Sequence, residues 1–210
     1  LARNDAYLRE AVERLQLCPF ARASRVGGML KRLVVLATDP ELLERQLYLA
    51  MLGWQDSDPH EFEVALIIAP GHRDGAEAWE SLLTRLNHEV ETSLRHRGVD
   101  MTCFAVAFHP DMSYGTRVPE QAIGLMRRSP DPTIQLVRRS VLARVRGDSS
   151  GPQFLDASAL GSPAEALAAA EKMRRPPSVS DRITAANHAT LQRMAGGLET
   201  LLDDIKGRNR

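Results

Sequence analysis

Apolar residues recur at three- and four-residue spacing near the start of the chain. Leu8, Ala11, Val12 and Leu15 form one stripe and predict an amphipathic helix, opened by Asn4 or Asp5 as acceptor for its first free amides and ended near Cys18-Pro19. Past Gly27-Gly28 the pattern changes to Leu33-Val34-Val35-Leu36-Ala37, a short β-branched run bounded by turn residues, as a buried strand requires. Thr38 or Asp39, with Pro40 behind it, opens a second helix through Leu42, Leu43, Leu47 and Leu49 to Leu52. Residues 53–60 are polar, and residues 62–69, Phe-Glu-Val-Ala-Leu-Ile-Ile-Ala, carry the strongest strand signal, stopped by Pro70-Gly71. From Gly75 to Arg97 the helical period returns with Trp79, Leu82, Leu83, Leu86, Val90 and Leu94 on one face, and Gly98 supplies a left-handed stop. Residues 101–108 read as a third strand. Three strands joined by helices of crossover length imply parallel connections, at least in part.

The second half is less regular. Pro110, Gly115, Pro119, Pro130 and Pro132 punctuate residues 109–132, and a proline-stiffened loop of that length inside a domain is uncommon unless it has a function. Residues 133–146 then predict a helix with Ile134, Val137, Val141, Leu142 and Val145 inward. Residues 147–152 form a second loop, Ser162-Pro163 starts an alanine-rich helix, Pro176-Pro177 stops it, and one last helix runs from Ser180 to Lys206. The expected architecture is a single α/β (or α+β) domain spanning residues 1–210. A three- to four-stranded, mostly parallel or mixed sheet is covered by several helices, with C-terminal helices (162–206) packed on the α/β core.

Composition narrows the function classes. Apolar residues make up 43% and charged residues 26%, enough apolar surface for one core. The 27 basic and 27 acidic side chains cancel, so no overall field holds a phosphate backbone or an anionic membrane, and neither nucleic acid nor membrane is an expected partner. No run approaches the ~20 apolar residues of a membrane span. Cys18 and Cys103 form neither a disulfide framework nor a Cys-x-x-Cys pair and read as reduced thiols of a cytoplasmic protein.

Three places offer chemistry. Cys18-Pro19-Phe20 follows a helix directly, and its proline fits the first turn of another, whose amides would favour the thiolate; the competing reading is a buried small hydrophobe. His109 stands where the third strand emerges into the long loop, at the carboxyl end where ligands of parallel sheets collect, and its imidazole suits proton transfer, metal ligation or a structural cap on a loop carbonyl. Arg127-Arg128-Ser129-Pro130 sets guanidinium forks beside a hydroxyl, suited to a carboxylate or phosphate, or to tying the loop down. Cys103 reads as core filler, and Arg138, Arg139, Arg144 and Arg146 read as a solvated helix face. His60, His72, His88 and His96 fall in polar loops or on a charged helix face and lack zinc-site spacing. No phosphate-binding glycine loop and no Gly-x-Ser-x-Gly elbow is present.

Leu17-Cys18-Pro19-Phe20-Ala21, Ala107-Phe108-His109-Pro110, Arg128-Ser129-Pro130-x-Pro132-Thr133 and Ile183-x-x-x-Asn187-x-x-Thr190-Leu191 stand in an order that resembles a bacterial and plastid family, the domain of unknown function 1415. The resemblance implies that Cys18, His109, Arg128, Ser129 and Asn187 belong to the family's motif set, and it brings no activity with it. The chain departs from the family pattern at Arg127, where asparagine is usual, and at Gln135-Leu136-Val137-Arg138, where a His-Leu-Leu-Arg run is usual.

Three functions stay open. The preferred one is a small-molecule enzyme of unknown reaction, with Cys18 as thiolate, His109 as proton-transfer partner and Arg128 as anion anchor around one pocket, and Arg127, Ser129 and Asn187 binding a small, anionic substrate. The second is a haem protein with Cys18 or His109 as axial ligand, since Cys-Pro recurs among haem thiolate ligands. The third is a non-enzymatic partner-binding domain using the Arg127 loop and the last helix, although aromatic residues, at 5%, mark no hot spot.

Overall fold

A computed structural model describes residues 1–18, 20–113, 124–146, 179–194 and 196–208. The elements are α1 (Ala2–Ala6), a continuous π-helical segment (Tyr7–Glu13), α2 (Ala21–Val26), β1 (Leu30–Val34), α3 (Pro40–Gln55), β2 (Val64–Ile68), α4 (Ala76–His96), β3 (Cys103–Phe108), β4 (Thr133–Arg138), α5 (Arg139–Arg146), α6 (Val179–Met194) and α7 (Gly197–Gly207). Residues 147–152 and the helix expected between Ser162 and Pro176 lie outside the described residues.

The sheet is four-stranded and mixed, in the order β1-β2-β4-β3. β1 pairs parallel with β2, and β4 runs antiparallel to both β2 and β3, so β1, β2 and β3 share one direction with β4 inserted against it. This α/β arrangement agrees with the expected class. The crossover helices form where the apolar period and caps place them. Asp39 accepts from the Leu42 amide at 2.9 Å with Pro40 at the first position of α3. The predicted face of α4, Trp79 to Leu94, is buried throughout, and Gly98 holds the expected left-handed φ of 68°.

Three assignments change. Residues 133–138 are not helix but strand β4, buried at every position except Gln135. Their Ile134/Val137/Val141 spacing mimics a helical stripe, yet Thr-Ile-Gln-Leu-Val is a β-favouring run that finds ladder partners on both sides, and only Arg139 onward is helical. The first strand begins three residues earlier than expected and is a half-exposed edge, because it pairs with β2 alone; Leu33 and Leu36 face solvent while Val35 is buried. The last helix is two helices, broken at Gly196, whose φ of 89° no helical residue adopts.

Two apolar layers follow. On one face α3 and α4 bury Leu47, Met51, Trp79, Leu86 and Leu94 against Ala65, Ile67, Cys103, Ala107, Ile134 and Leu136. On the other, Tyr7, Leu8 and Ala11 of the N-terminal helix join Leu191, Leu198, Leu202 and Ile205 of α6 and α7 over Leu66 and Ile68. Each such aliphatic side chain contributes about 1.5–3 kcal/mol by burial.

Arg138, expected on a solvated helix face, is instead 2% exposed at the end of β4. Its guanidinium donates to Thr102 Oγ1, to the Ser57 and Asp58 carbonyls and to Ser57 Oγ, and its carbon lies 4.1 Å from the Phe62 ring centre. Among the described residues no carboxylate bonds to it; carbonyl dipoles and a π face solvate the charge instead. Truncation would leave those carbonyls and a cavity behind, so Arg138→Ala is expected to lower stability by about 2–4 kcal/mol. Arg138→Lys should recover part of that. A urea midpoint unchanged in Arg138→Ala would disprove the bracing role.

Candidate active site

The N-terminal helix carries two departures from ideal backbone. Tyr7–Glu13 is π-helical, a rare geometry that concentrates at functional sites, and the wide hydrogen bonds continue as Arg14 N–H to Arg9 O and Leu17 N–H to Val12 O. Gln16 then adopts a left-handed φ of 55°, a conformation that costs a side-chain-bearing residue about 1–2 kcal/mol. The strained turn delivers Leu17 and Cys18 to the sheet. There the Asn187 amide donates to the Leu17 carbonyl at 2.9 Å, pinning the turn to α6.

Between this helix and the sheet lies a cavity of about 340 Å³. Leu8, Val12, Phe20, Val64, Leu66 and Val137 form much of its apolar wall. Cys18, Arg127, Ser129 and Asn187 line it as well, so four of the six anticipated residues converge. Cys18 is exposed while lining the cavity, which puts its thiol at the rim. Its carbonyl, at 3.3 Å, accepts the Ala21 amide at the start of α2. Arg127 is the one permanently charged side chain of the lining among the described residues.

His109 and Arg128 are not in that wall. Side chains alternate along β3, so Phe108 faces the cavity while Cys103, Ala105 and Ala107 face α3 and α4, and His109 continues their row. Its ring stands edge-on to His72, 6.2 Å away, and His72 lies 4.7 Å from Trp79. Both His109 nitrogens are engaged by main chain. Nδ1 accepts the Asp111 amide at 3.1 Å, which leaves the proton on Nε2 to donate to the Asp74 carbonyl at 3.1 Å. Burial holds the imidazole below its ordinary value, partly opposed by Asp111 and the Asp74 carbonyl. Among the roles weighed for it, the geometry matches the structural cap. Arg128 donates from Nε to the Pro110 carbonyl and from a terminal nitrogen to Glu199, both at 3.0 Å, so it ties the loop to α7. The pocket is therefore built by Cys18 and Arg127, not by Cys18, His109 and Arg128 together.

The polar lining residues Asn4, Tyr7, Ser24, Thr133 and Gln135 were missed. Asn4, anticipated as a cap, lies inside α1 at 3% exposure, with its Oδ1 buried and unbonded among the described residues. Tyr7 donates its hydroxyl to the Met126 carbonyl at 3.0 Å; burial, and secondarily Cys18, push the phenol far above its ordinary range, so it stays protonated. Gln135 sits mid-cavity on the strand that was read as helix. The signal for Asn4 was present: it extends the Leu8/Ala11 stripe by one turn, an amide where a core side chain is due. Cys103 is fully buried, and burial pushes its thiol up, as befits an unreactive core residue. Among the described residues no three His, Cys, Asp or Glu side chains are grouped to hold a metal ion, and no helix is long and apolar enough to cross a membrane.

These features define an α/β protein with a mixed four-stranded sheet and a helix-covered cavity lined by Cys18 and Arg127. The family described as Protein of unknown function (DUF1415) matches residues 1–153, and the chain belongs to it. Asn187 and its motif lie beyond the matched stretch. No curated protein and no solved structure matches the chain.

Burial depresses both His72 and His109. The unfolded imidazoles, near pH 6.5, therefore take up protons before the folded ones, and stability present above that pH is lost as pH falls through the folded values. Asp56, Glu13 and Asp111 are held below the carboxylate range by Arg97, Arg25 and Lys206, so their loss comes at lower pH. Urea midpoints should fall between about pH 7 and pH 5, and His109→Asn should remove about half of that slope. An unchanged slope in the variant would contradict a buried, neutral His109.

Proposed function

We propose that this chain binds a small, largely apolar molecule bearing an anionic group in the cavity beneath the π-helical segment and acts on it through the Cys18 thiol. The observation carrying this reading is the cavity itself: its volume falls within the range of small-molecule sites, its wall is mostly apolar, and a few polar groups converge on it. Arg127 supplies the only fixed charge of the described lining and selects an acceptor such as a carboxylate. Cys18, at the rim, supplies the nucleophile: its sulfur adds to a carbonyl carbon of the bound molecule, the C=O π bond opens onto oxygen, and that oxygen takes the thiol proton through solvent, so that nothing leaves. The strain stored at Gln16 and in the π-helical turn supports a functional role for the segment, since stability alone would favour a regular helix there. Ser129 and Asn187 hold the wall rather than the substrate: Ser129 Oγ donates to the Asp131 carbonyl and Asn187 to Leu17. An exposed working thiol and a second unpaired one fit a reducing compartment, and we place the protein in the cytoplasm.

The test combines binding with labelling. Anilinonaphthalene sulfonate, an anionic apolar dye, should fluoresce with the folded protein and lose about tenfold in affinity when Val12→Phe or Ala21→Phe fills the cavity. Maleimide at pH 7 should modify Cys18 and leave Cys103 untouched until the protein unfolds, and Cys18→Ser should keep the dye and lose the label. Dye binding indifferent to both filling variants would remove the cavity reading. Equal, slow labelling of both cysteines would remove the thiol chemistry, and a Soret band lost in Cys18→Ser on adding haem would replace it with haem ligation.

A further inference from the structure

The floor of the cavity is the face of the sheet opposite α3 and α4, and Gln135 stands at its centre. Leu66 of β2 and Val106 of β3 lie directly across from it, and Thr133 and Val137 lie two residues away along β4. The four diagonal positions on β2 and β3 are apolar as well. Thr133 is therefore the one polar neighbour within the sheet, and its hydroxyl donates to the Asp131 carbonyl. A side-chain amide in the middle of a central strand adds nothing to the ladder, and a branched apolar side chain would suit the position better.

The Gln135 side chain is half-buried, and what it exposes opens into the cavity. β2 and β3 cover both edges of its strand, and Ile134 and Leu136 fill the opposite face. Among the described residues its amide has no hydrogen-bond partner, and neither amide atom belongs to the buried, unbonded set that includes Asn4 Oδ1 and Gln55 Nε2. The amide is thus accessible from the cavity, whose mouth is marked by Cys18 and Phe20, both exposed. Solvent serves such a group until a ligand displaces it. A ligand that covers Gln135 with methylene groups alone strips two donors and an acceptor of their bonds, whereas one with a polar atom at that place returns them.

We infer that Gln135 recognises a ketone oxygen carried within the chain of the bound molecule, so that the ligand is an oxo acid, with its carboxylate on Arg127, its ketone over the middle of β4 and its apolar remainder against the cavity wall. This deepens the reading above and rests on it, since the addition at Cys18 already requires a carbonyl carbon. An amide suits both stages of that addition. Its Nε2 protons donate to the carbonyl oxygen, and its Oε1 accepts from the hydroxyl that this oxygen becomes. Gln135 is a recognition residue and gives up no proton itself.

The probes are nonanoate and the oxononanoates that carry one ketone at successive interior positions, titrated by calorimetry into the full chain with Cys18→Ser, which lacks the thiol that forms the adduct. One isomer should bind at least as tightly as nonanoate, because its ketone meets Gln135. Adding Gln135→Met, of nearly the same shape, should weaken that isomer about tenfold and leave nonanoate at the same affinity or tighter. The other isomers should change by less than about twofold. Gln135→Met should unfold at the same or a higher urea concentration than the parent chain; a lower midpoint would mean that the amide braces the fold and would overturn the assignment. So would the failure of every isomer to match nonanoate, or a loss in Gln135→Met spread evenly over the isomers, as a merely polar floor would give. Each of those outcomes leaves the cavity reading intact. If no acid binds while the anionic dye does, the oxo-acid assignment falls with the ligand class; if the dye fails too, the site is wrong.

Discussion

The pairing of Thr133–Arg138 between β2 and β3 is the contact on which the rest of the structure depends. Without β4, β3 has no ladder partner in the sheet, and β1 and β2 would form a two-stranded ribbon. The strand also serves both faces at once. Ile134 and Leu136 complete the layer under α3 and α4, while Thr133, Gln135 and Val137 floor the cavity on the opposite side. Its last residue, Arg138, gathers the carbonyls of Ser57 and Asp58, the hydroxyls of Ser57 and Thr102, and the ring of Phe62, closing the loop between α3 and β2 against the start of β3. A buried cation held by dipoles and a ring face tolerates little displacement, because each carbonyl it leaves loses its partner at full desolvation cost.

The alternation of the same sheet divides the polar residues into two sets. Phe108 and His109 are adjacent in sequence and face opposite layers, so the imidazole belongs with Trp79 and His72 while the cavity begins one residue earlier. His109 and Arg128 both act as ties, joining the chain after β3 to its neighbours through the Asp74 carbonyl in one case and through Pro110 and Glu199 in the other. They hold the Gly124–Arg128 turn in place, and that turn presents Arg127 to the cavity. Motif residues of this kind divide between those that line a site and those that fix the loop around it.

The helices and strands of the first hundred residues were legible because their patterns are local. A capped apolar stripe such as Trp79 to Leu94 finds its whole hydrogen-bond ladder within itself. β4 was not legible for the opposite reason. Six residues with apolar side chains at both periods carry no internal evidence of which ladder they will join, and the two strands that settle the matter lie far back in the chain. Arg138 was misplaced with its element: on a helix it would have faced water, and on the strand it faces Phe62. The edge position of β1 likewise depends on neighbours, through a missing partner.

For the candidate site, the sequence alone determined the residue types worth watching and brought Cys18, Arg127, Ser129 and Asn187 into view, since thiols, guanidinium groups and loop polar residues announce their chemistry wherever they stand. Only the tertiary structure decided which of them share a volume. Whether a side chain meets a cavity depends on the face its backbone presents and on what is packed opposite. Both are set by strand pairing between distant segments and by the helices packed over them, where Asn4 lies buried on the cavity wall and not at a helix cap.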